Sequence, residues 1–166
     1  MPYAGFHLAQ VNIGRARGAI DQPVMAGFVA QLEPINALAD ASPGFVWRLQ
    51  TEDGDATAVR PYADDRVLIN LSVWVDLTAL RAFVFRSAHT EVMRHRREWF
   101  ERFPEAYLAL WWVPAGHRPS VAEAVERLGH LQAHGPSGHA FSFREPYDPW
   151  GREIVEASQA DECPAT

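Results

Sequence analysis

From Val67 to Val75 the chain alternates with a period of two. Val67, Ile69, Leu71, Val73 and Val75 fall on one wholly apolar face, and Leu68, Asn70, Ser72 and Trp74 on a mixed one. That pattern predicts a strand. The period then lengthens. Asp76 is placed to cap a helix with Leu77, Leu80 and Val84 on one side. After Ser87 a second helical run puts His89, Val92, Met93, Arg96, Phe100 and Phe103 on one stripe.

The same reading extends along the chain. Phe6 to Ile13 predicts a first strand, with Phe6, Leu8, Gln10 and Asn12 on one face and His7, Ala9, Val11 and Ile13 on the other. Asp21 and Pro23 predict a helix start, and Met25, Phe28, Val29, Leu32, Ile35 and Ala39 its buried stripe. Pro34 lies inside that stripe; an interior proline costs about 3 kcal/mol or more, so a kink or two shorter helices are expected. Phe45 to Gln50 predicts a short strand with Phe45, Trp47 and Leu49 on one face, and Ala56 to Tyr62 a continuing ribbon after an Asp-Gly turn. Tyr107 to Val113 is almost entirely apolar and suits a strand covered on both faces. Ser120 and Glu123 form a capping box before a helix lined by Val121, Ala124, Val125, Leu128 and Leu131. Ala140 to Arg144 is read as a last short strand. A single domain over residues 1–144 is expected, with a loosely held, proline- and acid-containing tail over 145–166.

This order predicts an α+β fold: a ferredoxin-like antiparallel sheet with helices packed on one face, extended by a further C-terminal helix and strand. The other face carries Trp47, Leu68, Trp74 and either Leu108 or Trp111, too much apolar area to leave in water. A second subunit packed sheet to sheet would cover it, which predicts a two-fold homodimer. The last helix and strand folding over that face within one chain is the alternative.

Composition narrows the function classes. The 166 residues are 48% hydrophobic and 22% charged, with a net charge of −6, which opposes binding to nucleic acid or an anionic membrane. The basic run Arg86, Arg94, His95, Arg96, Arg97 and Arg102 is interleaved with Glu91, Glu98 and Glu101, so a solvated helix face is expected there. The single cysteine, Cys163, excludes an intrachain disulfide. The first residues lack the basic and apolar regions of a signal peptide, and no apolar run approaches the roughly 20 residues that span a bilayer. A cytoplasmic protein without membrane or nucleic-acid partners is expected. HExxH, CxxC, a phosphate loop and GxSxG are all missing, and His7, His130, His134 and His139 lack metal-ligand spacing, so no metal site is predicted.

Candidate chemistry lies where polar residues interrupt apolar strands. Gln10, Asn12, Asn70 and Ser72 do so, and buried amides need partners. Two readings stand open: a polar pocket whose amides bind a substrate oxygen, with Trp74 on the same face as Asn70, or a structural network between strands or subunits. His89 on its apolar stripe is either a general base or haem ligand, or a core histidine bonded to a backbone carbonyl. Arg96 on the same stripe is a cation in want of an anion. Trp47 and Trp111 are further candidates for substrate contact, and His117 in the loop PAGHRP is placed either to touch a ligand or to serve a turn.

NLSVW, the run from Ser87 to Phe100 and LWWVPAGHRPS with the following Glu123-Ala124 and Arg127-Leu128 resemble an uncharacterised bacterial domain-of-unknown-function family. The resemblance covers Phe6 to Arg144. That family in turn resembles the antibiotic-biosynthesis-monooxygenase group of dimeric α+β barrels. The resemblance implies a small-molecule oxygenase acting on an aromatic or polycyclic substrate between sheet and helices. Cofactor-independent members use an asparagine and a tryptophan four apart on a strand, which Asn70 and Trp74 resemble. Haem-degrading members carry a proximal histidine late in the second helix and an asparagine on the first strand, which His89 and Asn12 resemble. The implied cofactor is thus none, or haem. The chain departs from both patterns in a helix interrupted near Ser87 and in the helix and strand that follow the core. A non-catalytic ligand-binding or accessory dimer is the reading from another class.

Overall fold

The strand Phe6–Arg15 (β1) is the centre of a four-stranded antiparallel sheet. Residues 3–155 are described by the structure, a computed structural model. The other strands are Phe45–Arg48 (β2), Val67–Trp74 (β3) and Leu108–Pro114 (β4), and the order across the sheet is β2-β3-β1-β4. With the helices Ala26–Ala41 (α1) and Leu77–Arg86 (α2) this is the predicted ferredoxin-like arrangement. Two short helices, His89–Arg94 (α3) and Arg96–Trp99 (α4), follow α2, and Val121–His134 (α5) follows β4. No helix among the described residues is long and apolar enough to cross a membrane.

Local chemistry explains the element ends. Asp76 accepts from the Ala79 amide at 2.8 Å, capping α2 as expected. The Ser87 hydroxyl donates to the Phe83 carbonyl at 2.5 Å and accepts from the His89 amide at 3.2 Å, closing one helix and opening the next. Ser120 accepts from the Glu123 amide at 3.1 Å, but the Glu123 carboxylate completes no capping box; it takes the Trp111 indole N–H at 3.3 Å and pairs with His117 at 2.8 Å. One expectation fails at the start of α1, where a 3-10 turn over Pro23–Met25 takes the place of an Asp21 cap. Of the two outcomes expected at Pro34, a pair of shorter helices does not form: the helix contains Pro34 as one element. The ribbon expected over residues 56–62 is a loop of turns. Gly44, at φ +82°, lets the turn into β2 pass where a Cβ would lie 2.5 Å from Ala79 Cβ.

The two faces of the sheet are covered from the same chain, in the reverse of the expected arrangement. The mixed face (Leu8, Gln10, Asn12; Leu68, Asn70, Ser72, Trp74; Leu108, Leu110) looks toward α1–α4. The wholly apolar face (Ala9, Val11, Ile13; Ile69, Leu71, Val73; Ala109, Trp111) packs under Ala124, Leu128 and Leu131 of α5. A helix with a continuous apolar stripe fits best where no polar strand group needs a partner. Val11, Val73, Trp111 and Leu128 are all 0% exposed within the single chain. On the face assigned to a partner subunit, Leu68 is 7% and Trp74 1% exposed beneath α1–α4, and Trp47 and Trp111 have gone to the α5 side. The uncovered apolar area that motivated a sheet-to-sheet dimer is thus covered within the chain.

A bulge decides the side of Trp47. Phe45 opposes Trp74, but the register shifts, so Trp47 opposes Val73 and points to the α5 face while Arg48 opposes Ser72 on the mixed face. After α5 the chain wraps the β4 edge. Phe141 exchanges two backbone bonds with Leu110, at 2.8 and 2.9 Å, one bridge where a short strand was expected. Beyond it, Tyr147 and Glu153 bridge, the Tyr147 carbonyl accepts from the Trp112 indole at 2.7 Å, and Trp150 packs edge-on against Tyr3 and Phe6. The stretch expected to be loose is thus tied down as far as Ile154, whose amide donates to the Pro146 carbonyl at 2.8 Å; Cys163 lies outside the described residues.

Candidate functional site

A cavity of about 210 Å³ opens between the mixed face of the sheet and α1–α4. Phe28, Leu32 and Ile35 of α1 are only half-buried and line it; Phe28 meets Phe100 edge-on at 5.0 Å, and Ile35 packs against the cluster around Trp74. The cavity brings together seven of the candidate residues: Gln10, Asn12, Asn70, Ser72, Trp74, His89 and Arg96.

Its floor is a polar network set by strand register. Gln10 lies opposite Ser72, and Asn12 opposite Asn70. The Gln10 amide donates to Asn70 Oδ1 at 2.5 Å and to Ser72 Oγ at 2.8 Å. The Trp74 indole N–H donates to the same hydroxyl at 2.9 Å. Asn12 donates to Gln10 Oε1 at 3.1 Å and Asn70 Oδ1 at 3.3 Å. Bond counting then separates two kinds of residue. Gln10, 5% exposed, spends both amide hydrogens and its carbonyl inside the network. Ser72, 6% exposed, spends its accepting capacity on Gln10 and Trp74. Asn70 is exposed to the cavity, and its oxygen is used twice while its NH2 has no acceptor among the described residues. Asn70 therefore presents donors to a ligand, and Gln10 and Ser72 hold it in that orientation.

One wall is aromatic. Trp74, 1% exposed, stacks on Phe83 of α2 at 5.0 Å and meets Phe45 edge-on at 5.4 Å. Trp74 lines the cavity from within this aromatic cluster. Phe83 also touches the His89 ring at 4.8 Å. His89 Nδ1 lies 3.3 Å from the Val84 carbonyl, and a carbonyl only accepts, so the proton is on Nδ1. Nε2 is left with its lone pair and no partner among the described residues. Burial, with a smaller push from Arg96, lowers the His89 pKa below its ordinary value despite the Val84 bond. The ring is neutral at neutral pH, with a free basic nitrogen.

At another wall Arg96 donates from Nη2 to the Ile13 carbonyl at 3.1 Å. Its guanidinium lies over the Phe100 ring at 5.1 Å and the Tyr107 ring at 4.7 Å. Gly14 makes this possible, since a Cβ there would stand 2.7 Å from the Phe100 ring. Burial lowers the Arg96 pKa, and nearby Tyr107 offsets part of it. The mouth is lined by residues that sequence reasoning passed over. Arg48 donates to Asp40 of α1 at 2.8 Å and to the Gly54 carbonyl at 2.6 Å, tying the loop after β2 to the helix; Asp55 and Thr57 of that loop complete the rim. The unforeseen bulge hid Arg48, and loop residues carry no periodicity.

The other three candidates lie elsewhere. Trp47 and Trp111 face α5, and His117 pairs with Glu123 beside it. The β2 bulge accounts for Trp47, strand parity for Trp111, and the acid at the start of α5 for His117. No group of three or more metal-ligating side chains among the described residues is placed to hold a metal ion. Haem does not fit either. His89 Nε2 and its Val84 carbonyl suit an axial ligand, but about 210 Å³ is below even the ~300 Å³ at which cavities for drug-sized ligands begin.

Solved structures with similar folds include SnoaB, a cofactor-independent oxygenase from Streptomyces nogalater, with 19% identity, 69% of this chain and 96% of that chain covered, and a TM-score of 0.45. Rv0793 from Mycobacterium tuberculosis has 14% identity, 69% and 99% coverage and a TM-score of 0.47. The monooxygenase ActVA-Orf6 of Streptomyces coelicolor, solved with Nanaomycin D, has 14% identity, 72% and 96% coverage and a TM-score of 0.36. At these values the likeness does not extend to the site. No functionally curated protein matches the chain. A match over residues 7–157 takes in the sheet from its second residue on, the helices of the described residues and the cavity between them, and by it the chain belongs to the family described as Domain of unknown function (DUF3291).

Proposed function

We propose that the cavity is the active site of a small-molecule oxygenase that needs no cofactor and acts on a hydroxylated aromatic compound. The observation that carries this reading is the placing of a free base and a free donor pair in one aromatic-walled cavity: His89 Nε2 and the Asn70 NH2. In this scheme His89 Nε2 takes the phenolic proton. The resulting anion is an electron-rich ring, with Trp74 and Phe83 beside it and Asn70 donating to the oxygen that carries its charge. The ring supplies the electrons. Dioxygen adds at a ring carbon, and the proton held on His89 returns to the peroxide as it forms. The O–O bond then breaks with loss of water and leaves a carbonyl. Phenol and dioxygen thus become quinone and water, with atoms and electrons in balance.

The test is oxygen uptake by the purified chain with a panel of one- and two-ring phenols. One dioxygen consumed per quinone formed, insensitive to chelators and strongly reduced in Asn70→Ala and His89→Gln, is the expected result. Tight binding of a phenol without any uptake would leave a binding protein in place of the enzyme.

A further inference from the structure

Arg96 is a cation held by everything except an anion. One N–H bonds the Ile13 carbonyl, and two ring faces, Phe100 and Tyr107, cover the guanidinium. Among the described residues no carboxylate comes within ion-pair distance. The nearest acids in sequence are taken: Glu91 by Arg94 at 3.1 Å, Glu98 by His95 at 3.1 Å and Glu101 by Arg66 at 2.8 Å. Guanidinium offers five donors in a plane, and here four have no acceptor among the described residues. A half-buried cation left in that state has lost water without gaining a partner.

We propose that the cavity takes a small aromatic carboxylate of one or two rings, its carboxylate seated on the free edge of Arg96. The inference rests on reading the cavity as a substrate site, but on no reaction there. The planar fork matches a carboxylate, which accepts two parallel N–H bonds. The other arginine of the lining is already neutralised: Arg48 is held by Asp40 and by the Gly54 carbonyl. The one acid at the mouth, Asp55, is turned to its own loop, accepting from the Thr57 amide at 2.9 Å and hydroxyl at 2.6 Å. Negative charge thus has one place to go. Size sets the rest. About 210 Å³ between Trp74, Phe83 and the amide floor holds one or two rings, below the ~300–1,000 Å³ of sites for larger ligands.

Isothermal titration of the full chain at neutral pH, with 2-hydroxybenzoate and its uncharged counterpart 2-hydroxybenzamide, tests this. The acid is expected to bind at least about tenfold tighter, a difference worth about 1.4 kcal/mol. Arg96→Gln should remove the preference, and Arg96→Lys, which keeps the charge but not the fork, should restore part of it. Anthraquinone-2-carboxylate, with three fused rings, should bind about tenfold weaker than 2-hydroxybenzoate. Equal binding of acid and amide, an acid preference that survives in Arg96→Gln, tighter binding of the three-ring acid, or no binding of the acid would each overturn the proposal. If Arg96→Gln fails to fold, the acid-against-amide comparison on the wild type decides alone. Oxygen uptake is read separately: acid preference without turnover upholds this inference and rejects the oxygenase, and turnover of neutral phenols without acid preference does the opposite.

Discussion

Gln10 and Ser72 face each other across β1 and β3, and the Gln10 amide donates to the Ser72 hydroxyl at 2.8 Å. The same hydroxyl accepts from Trp74. One oxygen therefore holds both the glutamine that orients Asn70 and the indole that walls the cavity.

Removing that oxygen should be felt in folding and in binding. Ser72→Ala leaves a Gln10 N–H and the Trp74 N–H without partners in a buried place, at about 1–3 kcal/mol for each group left unpaired. Chemical denaturation should show the loss. Ser72→Thr, which keeps the hydroxyl, should recover most of it, and a Thr variant as unstable as Ala would mean the hydroxyl bonds contribute little.

Asn70 should behave in the opposite way. Its NH2 serves no acceptor among the described residues, and its side chain is open to the cavity. Asn70→Ala should lower turnover by about 10²–10³, the usual loss when an oxyanion donor is removed. Because Asn70→Ala also removes the Oδ1 that accepts from Gln10 and Asn12, the separating variant is Asn70→Asp, which keeps that oxygen and loses the NH2. In it turnover should fall while the melting temperature shifts less than in Ser72→Ala. Equal damage to both would make Asn70 one more strut of the network.

The His89 pKa lies below the usual histidine value of 6.5, because burial disfavours the charged ring. In the window between the folded and the unfolded pKa, the unfolded chain binds more protons. Stability therefore rises with pH through that window, is complete above about 6.5 and is lost as pH falls toward the folded pKa. Turnover should share this acid limb, since only the neutral ring accepts a proton. Titration of the His89 ring signal by NMR gives the folded value directly, and a ring that titrates above 6.5 would contradict both expectations. In His89→Gln the acid limb of the stability profile should flatten.

The cover on the back of the sheet predicts a separation of effects. Leu128 is fully buried between α5 and the sheet, away from the cavity. Leu128→Ala should cost about 2–5 kcal/mol in denaturation while ligand affinity, measured well below the melting temperature, stays near the wild-type value. Light scattering should give the mass of one chain, 18.6 kDa. Twice that mass with α5 in place would put the interface on another surface.

The sequence alone determined the α+β class, the four strands of the sheet and, outside the β2 bulge, which residues share a face, though it also suggested two strands that did not form. Side-chain direction in a strand follows a period of two and needs no partner to be read. Gln10, Asn12, Asn70 and Ser72 stood out for the same reason, as amides and a hydroxyl where apolar residues belong. Tertiary structure decided what periodicity does not encode. Both faces of β3 were apolar enough to be buried, so the choice of face for α5 rested on the match between two apolar surfaces. One extra residue at the β2 bulge sent Trp47 away and brought Arg48 in. The division between residues that bind and residues that position followed from counting hydrogen bonds, which needs atoms in place. The isolation of Arg96 followed from where every nearby acid had gone. Spacing along a chain predicts which groups meet on one surface; which of them remain unsatisfied, and so available to a ligand, is a property of the packed molecule.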